Sequence, residues 1–379
     1  MKFLHLSDLH IGKRVNEYSM IEDQKYILTK ILNIIDEEKP DGVFLAGDVY
    51  DKSVPSAEAV ELFDDFLVRL AKRNLKTFVI SGNHDSAERM AFGGRLMHKS
   101  GIYMSPVYDG TLKAIEMEDE YGKVNIWMLP FIKPTNVRRY FEEADIHTYT
   151  DAMRTAIGAA VINKNERNVM ITHQFVTGAE RSDSEEISVG GTDNVDVSVF
   201  EVFDYTALGH IHRPQNCGSD KVRYSGTPLK YSFSESKDQK SVTIVELKEK
   251  GNLTICTIPL TPLHDMHEIK GKYEELMLRD YYINTTYQTD YMHITLTDEE
   301  DIPDAVGKLR TVYHNLMKLD YDNTRTRTTN QIVGAEDVEK KSPFEHFADF
   351  YEQQNNQPMS EEQCEFIKEL IVEVWEENK

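Results

Sequence analysis

Five short segments of this 379-residue chain carry Asp, Asn and His residues of the kinds that bind divalent cations. Carboxylate and amide oxygens and neutral imidazoles are ligands for manganese, iron, zinc or magnesium. Two such ions, held about 3.5–4 Å apart, can clamp the attacking and leaving oxygens of a phosphoryl displacement. The segments are Asp8-Leu9-His10, Gly47-Asp48-Val49-Tyr50-Asp51, Gly82-Asn83-His84-Asp85, Thr172-His173 and Gly209-His210-Ile211-His212.

The spacing within these segments suggests how the ligands would be presented. Asp8 and His10 are two residues apart, so in an extended chain they share a face, and the same holds for His210 and His212. Asp48 is the best candidate to bridge two ions, because a carboxylate has two oxygens. The glycines that precede three of the ligands permit sharp turns and a close approach of the backbone.

Each segment alone is a weak signal. An Asp-x-His sequence after a strand is common, and a lone residue such as His173 is more often a hydrogen-bonded core histidine. Motif matches always include false positives. The five segments together, in this order, are a strong signal for a catalytic two-metal site.

The elements that must position these residues alternate between strands and helices. Apolar runs predict strands at Lys2–Ser7, Gly42–Ala46 and Lys76–Ser81, and apolar residues at helical spacing predict helices at Met20–Glu38 and Ser56–Lys72. This alternation predicts parallel strands with helices covering the sheet. Ligand sites of such sheets lie at the carboxyl ends of the strands, so the five segments can converge in one crevice.

Later segments are richer in strand patterns. We predict further strands at Val124–Leu129, Asn168–Thr172, Thr206–Leu208, Val222–Ser225 and Ser241–Leu247. The pair Gly251-Asn252 predicts the turn of an antiparallel hairpin that closes the domain near Pro259–Leu263. A small α+β domain then follows, with a strand at Tyr291–Leu296 and a helix at Ile302–Met317. The stretch 323–330 is polar and is predicted to be a loop.

The tail has the pattern of two short amphipathic helices. Aromatic residues recur at helical spacing within Pro343–Tyr351, and Ser360 begins a capping-box pattern with Gln363. Such a small unit cannot bury both faces alone. Two interpretations stay open on this pattern: the tail packs on its own chain, or it docks on a partner.

Composition bounds the function and the compartment. The net charge of −22 argues against a surface that grips nucleic acid by charge alone, although bound cations supply positive charge that this count misses. Three cysteines without zinc spacing suggest a reduced, cytoplasmic setting. We expect no signal peptide, because acidic and His residues follow the first residues directly, and no transmembrane helix.

The five segments resemble the pattern D-x-H, GD, GNH, H and GHxH of the calcineurin-like metallophosphoesterases. The resemblance implies an α/β fold, a β-sandwich flanked by helices with the metals at one edge. It implies one ion held by Asp8, His10, Asp48 and His212, and a second held by Asp48, Asn83, His173 and His210. His84 would lie over the substrate phosphate and donate a proton or a hydrogen bond to it. We expect Asp85 to orient His84, as carboxylates often orient imidazoles.

Essentially the whole chain is similar to the SbcD family, nuclease subunits of bacterial DNA-repair complexes with the ATPase SbcC. The similarity lies in the runs MKFLHLSDLHIG, LAGDVYDKSVPS, SGNHDS, LGHIHRPQ and RYSGTPLKYSFSE. It implies a nuclease domain at 1–262, a capping domain at 263–335 and a helix-loop-helix at 342–379 that binds the ATPase coiled coil. It also implies two Mn²⁺ ions, a homodimer within a heterotetramer, and a place at the nucleoid.

The leading hypothesis is therefore a manganese-dependent nuclease that cleaves DNA ends, hairpins and single strands. The alternatives are a metallophosphatase or cyclic-nucleotide phosphodiesterase of the same superfamily, and a scaffold subunit with a dead site. Every expected ligand is present, which disfavours the scaffold. Asp51 stands where archaeal relatives carry a histidine, and the sequence assigns it no proton-transfer role. Candidate phosphate contacts near the metal loops are Lys13, Arg14, Arg89, Arg213 and Lys230, and the run 224–227 is expected near the site.

Overall fold

The computed structural model describes residues 1–185, 194–300, 302–323, 344, 347–348, 351 and 359–377. The strands within these residues are β1 Lys2–Leu6, β2 Arg14–Val15, β3 Tyr18–Ser19, β4 Gly42–Ala46, β5 Lys76–Ile80, β6 Ile102–Met104, β7 Ala114–Asp119, β8 Gly122–Leu129, β9 Arg167–His173, β10 Phe175–Val176, β11 Asn194–Val195, β12 Tyr205–Gly209, β13 Gln215–Cys217, β14 Ser219–Tyr224, β15 Ser241–Leu247, β16 Leu253–Pro259, β17 Met266–Gly271, β18 Tyr291–Leu296 and β19 Asn315–Tyr321. The helices are α1 Ile21–Glu38, α2 Ala57–Ala71, α3 Ala87–Ala91, α4 Gly94–Met97, α5 Pro134–Arg138, α6 Tyr149–Gly158, α7 Tyr273–Leu276, α8 Arg279–Tyr282, α9 Ala305–Arg310 and α10 Glu361–Glu377.

The chain divides into two compact units. The first comprises Met1–Lys270, Glu274–Thr295 and Pro303–Asp320, and the second comprises Gly271–Tyr273, Leu296–Ile302 and Tyr321–Lys379. The predicted boundaries at 262, 263–335 and 342–379 stay predictions. Within the described part of the chain, no helix combines the length and the apolar composition that a membrane crossing requires.

Two six-stranded sheets form the framework of the first unit. Their strand orders are β16-β15-β1-β4-β5-β6 and β13-β14-β12-β9-β8-β7. Each sheet contains four adjacent parallel strands, and its other pairings are antiparallel. The predicted strands and helices of the first 81 residues are confirmed to within one residue at each end, and the antiparallel hairpin at Gly251 is confirmed.

Strand β4 shows why its apolar run is continuous. Phe44 and Ala46 lie in a core between the two sheets, whereas Val43 and Leu45 lie in a second core under the helices. A strand covered on both faces needs apolar residues at every position. α1 and α2 cover the first sheet, and α6 covers the outer face of the second sheet, as its buried Met153 indicates. The predicted β-sandwich flanked by helices is therefore confirmed.

The helix predicted at Ile302–Met317 is confirmed only over Ala305–Arg310, and its predicted extent is wrong. The helix α9 ends at Arg310, and β19 begins at Asn315 in a three-stranded sheet of order β17-β18-β19. Residues that match a helical spacing in the sequence are instead buried in a turn, where Tyr313 donates its hydroxyl hydrogen to the carbonyl oxygen of Leu276 at 2.6 Å. Short apolar patterns do not by themselves separate helix from strand, and here a distant contact decides.

The second unit contains α10 and its cap. The Ser360 hydroxyl accepts from the backbone N–H of Gln363 at 3.3 Å, and the Gln363 side chain accepts from the backbone N–H of Ser360 at 2.9 Å. The predicted capping box is therefore confirmed. Of the predicted helix at 343–351, residues 344, 347, 348 and 351 are helical, and the rest lies outside the described residues. Residues 324–330 of the predicted loop 323–330 also lie outside them.

Candidate metal centre

The five segments follow strands β1, β4, β5, β9 and β12, as predicted. Each of these strands has neighbours on both sides in its sheet, and all five belong to the two groups of parallel strands. Their carboxyl ends therefore meet at one edge of the sandwich. His173 is the last residue of β9, and Gly209 is the last residue of β12.

The backbone that carries the ligands is left-handed at several positions, which the sequence did not predict. The φ angles are 53° at Asp8, 44° at His10, 46° at Asp48 and 104° at His210. The argument that Asp8 and His10 share a face of an extended chain is therefore wrong, although both side chains do reach the centre. Non-glycine residues with such angles are strained, and strain of this kind clusters at functional sites. Hydrogen bonds between the Asp8 and Asp48 loops hold the conformation: Asp8 N–H donates to the Gly47 carbonyl at 3.1 Å, and His10 N–H donates to the Asp48 carbonyl at 2.9 Å.

Two glycines at this edge are required because of crowding. A Cβ atom at Gly82 would lie 2.1 Å from Oδ1 of Asp48, and one at Gly209 would lie 1.8 Å from the carbonyl oxygen of Ala46. No side chain tolerates such distances. The predicted close approach of the backbone is thus confirmed, and what it approaches is a ligand and a neighbouring strand.

One group of ligand atoms comes from Asp8, His10 and His212, which all lie within 4.8 Å of one another. The Nε2 atoms of His10 and His212 face each other at 3.1 Å. Oδ2 of Asp48 lies 3.7 Å from the same His10 nitrogen. This arrangement brings together the four residues expected at the first ion.

A second group surrounds Asn83. Its Oδ1 atom lies 2.9 Å from Nε2 of His173 and 2.8 Å from Nδ1 of His210. Oδ2 of Asp48 lies 3.3 Å from Nε2 of His173, so Asp48 reaches both groups. The four residues expected at the second ion are together, and Asp48 lies between the groups, where a bridging carboxylate would be.

The residues fit a pair of cations. Oδ2 of Asp8 is buried and has no hydrogen-bond partner among the described residues. Burial lowers the pKa of both His10 and His212 well below the ordinary value, so these rings are neutral and offer lone pairs. Two neutral imidazoles whose Nε2 atoms meet at 3.1 Å, beside two buried carboxylates, are a donor set for divalent metal.

The charges of the metal-free centre are coupled. Burial raises the pKa of Asp8 to about 7. Burial opposes the charge of His173 as well, but the Asp48 carboxylate raises its pKa to about 9. A cation must displace the proton of His173 to use its lone pair, and metal binding then releases protons.

His84 is the most accessible of the predicted catalytic residues. Its Nδ1 atom lies 3.0 Å from the carbonyl oxygen of Asp51, and its Nε2 atom lies 4.0 Å from Oδ2 of Asp48. Its backbone N–H donates to Oδ1 of Asp48 at 2.9 Å. Ligand atoms of His84, His10 and Asp48 also lie within 4.8 Å of one another, so distance alone would allow His84 to be a metal ligand.

Asp85 does not have the predicted contact with His84. Its carboxylate accepts hydrogen bonds from the backbone N–H groups of Val49 at 3.1 Å, Tyr50 at 3.0 Å and Gly82 at 2.9 Å. Asp85 therefore ties the loop after β5 to the loop after β4, and the Asp51 carbonyl orients the ring of His84. Burial, and then the charge of Asp48, raises the pKa of Asp85 to about 6.

Asp51 lies behind His10. Its Oδ1 atom is 2.8 Å from the ammonium nitrogen of Lys13 and 3.7 Å from Nδ1 of His10. At 3.7 Å the contact with His10 is electrostatic and not a hydrogen bond, and Nδ1 of His10 has no hydrogen-bond partner among the described residues. Lys13 is thus held by Asp51, which makes it a weaker candidate for a phosphate contact.

Other proposed phosphate contacts are also in ion pairs. Arg213 contacts Asp238 at 3.1 Å and Glu180 at 3.0 Å, and Lys230 contacts Asp265 at 2.8 Å. These residues balance charge within the protein in the absence of DNA.

Sequence reasoning missed several residues around the centre. The Tyr231 hydroxyl donates to the Leu9 carbonyl at 2.6 Å and accepts from Gln24 at 2.9 Å, which supports the first loop. Phe131 lies parallel to the ring of His210 at 6.4 Å. Ser184 contacts Nδ1 of His212 at 2.5 Å. Tyr231 lies in the run RYSGTPLKYSFSE, which pointed toward it, whereas no pattern marked Gln24, Phe131 or Ser184.

Comparisons with known proteins agree with this geometry. Residues 1–214, more than half of the chain, match the family model of the calcineurin-like phosphoesterases. Residues 262–355 match a model described as the Type 5 capsule protein repressor C-terminal domain.

Two curated relatives match along the full length. The SbcD subunit of the nuclease SbcCD from Staphylococcus epidermidis is 32% identical over 378 residues, covering 98% of each chain. Its counterpart from Staphylococcus saprophyticus is 31% identical over 383 residues, covering 100% of this chain and 99% of the relative. The chain therefore belongs to the SbcD family of metal-dependent nucleases, within the calcineurin-like phosphoesterases.

Proposed function

We propose that this protein is a DNA nuclease that hydrolyses phosphodiester bonds with two divalent cations, Mn²⁺ in the cell. Its activities would be exonucleolytic on double-strand ends and endonucleolytic on hairpins and single strands, in repair and recombination at the nucleoid. The observation that carries the proposal is the paired ligand group around Asp48, with Asp8, His10 and His212 on one side and Asn83, His173 and His210 on the other.

The residues of the site suggest a role for the cations, for their ligands and for His84. Bound cations would supply the positive charge that a phosphodiester needs, which an acidic protein otherwise lacks. Asp8, Asp48, Asn83 and the four His ligands would hold them. His84, whose ring is fixed through Nδ1 by the Asp51 carbonyl, would turn Nε2 toward the phosphate and donate a hydrogen bond to it.

The test compares the protein with His84→Gln on labelled linear duplex and hairpin DNA with Mn²⁺, with and without its ATPase partner. Loss of a positioned proton donor lowers rates by about 10²–10⁴-fold. We expect a loss in that range while calorimetry still counts two Mn²⁺ per chain. His147→Gln, at an exposed His paired with Asp145, is the matched control and should cleave normally.

Two results would contradict the proposal. If His84→Gln binds only one ion, His84 is a ligand and its assigned role is wrong. If the protein cleaves no DNA under any condition but hydrolyses a phosphomonoester or a cyclic nucleotide well, it is a phosphatase or a cyclic-nucleotide phosphodiesterase of the same superfamily.

The relatives are named as one subunit of a two-component nuclease, and α10 suits a partner contact. Its Phe366 is 63% exposed and its Leu370 is 43% exposed, although the helix is amphipathic and capped. We propose that this helix docks on the coiled coil of an SbcC-like ATPase. Replacing both residues with Glu should abolish binding of the purified ATPase subunit, whereas the exposed Glu365→Gln on the same helix should leave it intact.

The proposed assembly is a homodimer of this chain within a heterotetramer. Phe92 and Leu96, which are 83% and 80% exposed at α3 and α4, are the largest apolar groups that a dimer could cover there. Equilibrium sedimentation of the chain alone measures this stoichiometry directly, and a monomer at all concentrations would rule it out.

A further inference from the structure

A chain of buried polar groups stands behind His212, on the side away from His10. Nδ1 of His212 lies 2.5 Å from the hydroxyl oxygen of Ser184, and that oxygen lies 2.5 Å from Oε1 of Glu235. Oε2 of Glu235 is 2.5 Å from the ammonium nitrogen of Lys240. The side chains of Glu235 and Lys240 are 0% and 4% exposed, so water does not compete for these contacts.

Lys240 and a further carboxylate, that of Glu185, hold the backbone of His212. Lys240 donates to its carbonyl oxygen at 2.9 Å, and Oε1 of Glu185 accepts from its N–H at 2.7 Å. Ring, N–H and carbonyl are therefore each held by a different side chain. None of the residues in this network was assigned a role by the sequence motifs.

Counting hydrogens gives the direction of every bond in the network. The Glu235 carboxylate, paired with the Lys240 ammonium group, can only accept. A contact of 2.5 Å between it and Ser184 therefore needs the single hydroxyl hydrogen of Ser184. Ser182, at 2.8 Å from the Ser184 oxygen and 3.3 Å from Oε1 of Glu235, has its own hydrogen and needs none from Ser184.

Ser184 thus presents a lone pair to His212, and Nδ1 of His212 must carry the ring hydrogen. Nε2 then has its lone pair free, and this is the atom that faces Nε2 of His10 at 3.1 Å in the metal centre. In neutral histidine the hydrogen bond of one nitrogen decides what the other nitrogen can bind.

We infer that Ser184 and Glu235 are positioning residues that hold His212 in the Nδ1–H tautomer and so make its Nε2 a permanent metal ligand. The inference rests on the proposed function insofar as His212 binds a cation. It adds that the affinity of the centre depends on a serine that contacts His212 and on a glutamate that contacts this serine.

The first test is the tautomer of His212 in the metal-free protein, read from the ¹⁵N chemical shifts of its two ring nitrogens. We expect Nδ1–H in the wild type. Glu235→Gln should reverse it, because the Gln oxygen is needed by Lys240 and its NH₂ group then donates to Ser184. Ser184 would in turn donate to Nδ1 of His212 and move the ring hydrogen to Nε2.

The second test is Mn²⁺ affinity, measured by calorimetry. Loss of such an outer hydrogen bond typically costs about 10–100-fold in metal affinity. We expect a weakening of about that size for Ser184→Ala and for Glu235→Gln. Ser184→Thr, which keeps the hydroxyl, should restore the affinity. Ser182→Ala is the matched control, because Ser182 contacts Ser184 and Glu235 but not His212, and Ser184 donates its hydrogen to Glu235 whether or not Ser182 is present.

An Nε2–H tautomer in the wild type would overturn the inference, whether or not the variants fold. So would a Ser184→Ala protein that is less stable to heat but keeps both the tautomer and the Mn²⁺ affinity, since that result marks a merely structural role. Neither measurement uses DNA. If the wild type binds Mn²⁺ but cleaves no DNA, the proposed nuclease fails while the tautomer still decides the inference.

Discussion

Strands β1 and β9 carry charged groups at both ends, and the two ends differ in how those charges are paired. At their amino ends, the N-terminal ammonium group lies 2.8 Å from Asp119, and the Arg167 guanidinium donates to the same carboxylate. At their carboxyl ends lie Asp8 and His173, within the metal centre. The same two strands therefore hold one cluster whose charged groups are paired and one whose carboxylates lack a cation.

The amino-end cluster alternates positive and negative groups. Arg167, 2% exposed at its side chain, also donates to the Leu247 carbonyl at 3.2 Å and to the Lys248 carbonyl at 2.8 Å. The carboxyl-end cluster instead gathers mainly acceptors: carboxylates, an amide oxygen and the neutral imidazoles of His10 and His212, with the protonated His173, whose pKa is raised to about 9, among them. Opposite charges stabilise the fold by themselves, whereas a group of acceptors is stabilised only when cations arrive.

The pKa shifts of the two aspartates show the same contrast. Burial raises the pKa of Asp8 to about 7. Burial also opposes ionisation of Asp119, but hydrogen bonds from Arg167 and from the N-terminal ammonium group hold its pKa well below the ordinary value. The ionised form of Asp8 is therefore disfavoured without a cation, whereas the ionised form of Asp119 is stabilised by its hydrogen-bond donors. Three substitutions test this contrast between the two clusters.

The largest effect is expected from Asp8→Asn. Activity should fall by more than the roughly 100-fold that loss of an outer hydrogen bond can cost, because a ligand oxygen is gone. The metal-free protein should nevertheless become more stable at pH 8, by up to about 4 kcal/mol, because a pKa raised from 3.8 to about 7 disfavours the ionised folded state.

The pH dependence of this stabilisation has a defined sign. The cost of ionising Asp8 is absent below about pH 4, grows as pH rises toward 7 and then stays constant. Urea unfolding of the EDTA-treated wild type and variant at pH 4, 6 and 8 measures it. A variant less stable than the wild type at pH 8 would mean that the centre is not strained without metal.

A smaller effect of opposite sign is expected from Asp119→Asn. Loss of a carboxylate hydrogen-bonded to charged donors should lower the free energy of unfolding by about 2 kcal/mol near pH 7. Since the folded pKa is lowered, this stabilisation exists above the unfolded value of 3.8 and is lost as pH falls below it. Mn²⁺ affinity should not change, and a clear loss of affinity would show that the two ends are coupled.

The smallest effect is expected from Tyr231→Phe. The Tyr231 hydroxyl lies near the metal centre and already has hydrogen-bond partners within the protein. The change removes a hydroxyl that donates to Leu9 and accepts from Gln24. Gln24 still donates to the His10 carbonyl at 2.7 Å, so the loop keeps one support. We expect about 1 kcal/mol of lost stability and less than a tenfold loss of Mn²⁺ affinity by calorimetry. A loss as large as that of Ser184→Ala would show that the loop, not the ring tautomer, limits binding.

Much of the fold could be predicted because its patterns are local. The continuous apolar run Gly42–Ala46 by itself indicates a strand buried on both faces. The cap at Ser360 depends on Gln363, which is only three residues later. The extent of the helix predicted at Ile302–Met317 was wrong. The helix ends at Arg310, because Tyr313 contacts Leu276, 37 residues away, in a turn that leads into a strand. Local spacing does not contain that contact.

The backbone angles of the site residues could not be predicted from local spacing either. Asp8 and His10 were identified from their types, but the predicted reason for their convergence was wrong, since both adopt left-handed φ angles held by bonds to the Asp48 loop. Asp85 was expected beside His84 and instead accepts three backbone N–H groups. Which way a loop residue points depends on the hydrogen bonds of its neighbours in space.

The ligand types, the strands whose ends carry them and the order of the five segments can all be read from the amino-acid sequence. These follow from side-chain chemistry and from hydrophobic periodicity, which are properties of neighbouring residues. The folded chain was needed to show that Ser184, 28 residues before His212, and Glu235 lie behind the ring of His212. It was also needed to show that Arg167 and Asp119 form an ion pair at the opposite ends of the strands. Hydrogen-bond partners and buried ion pairs are chosen by packing, because the low polarity of the interior selects the groups that satisfy one another.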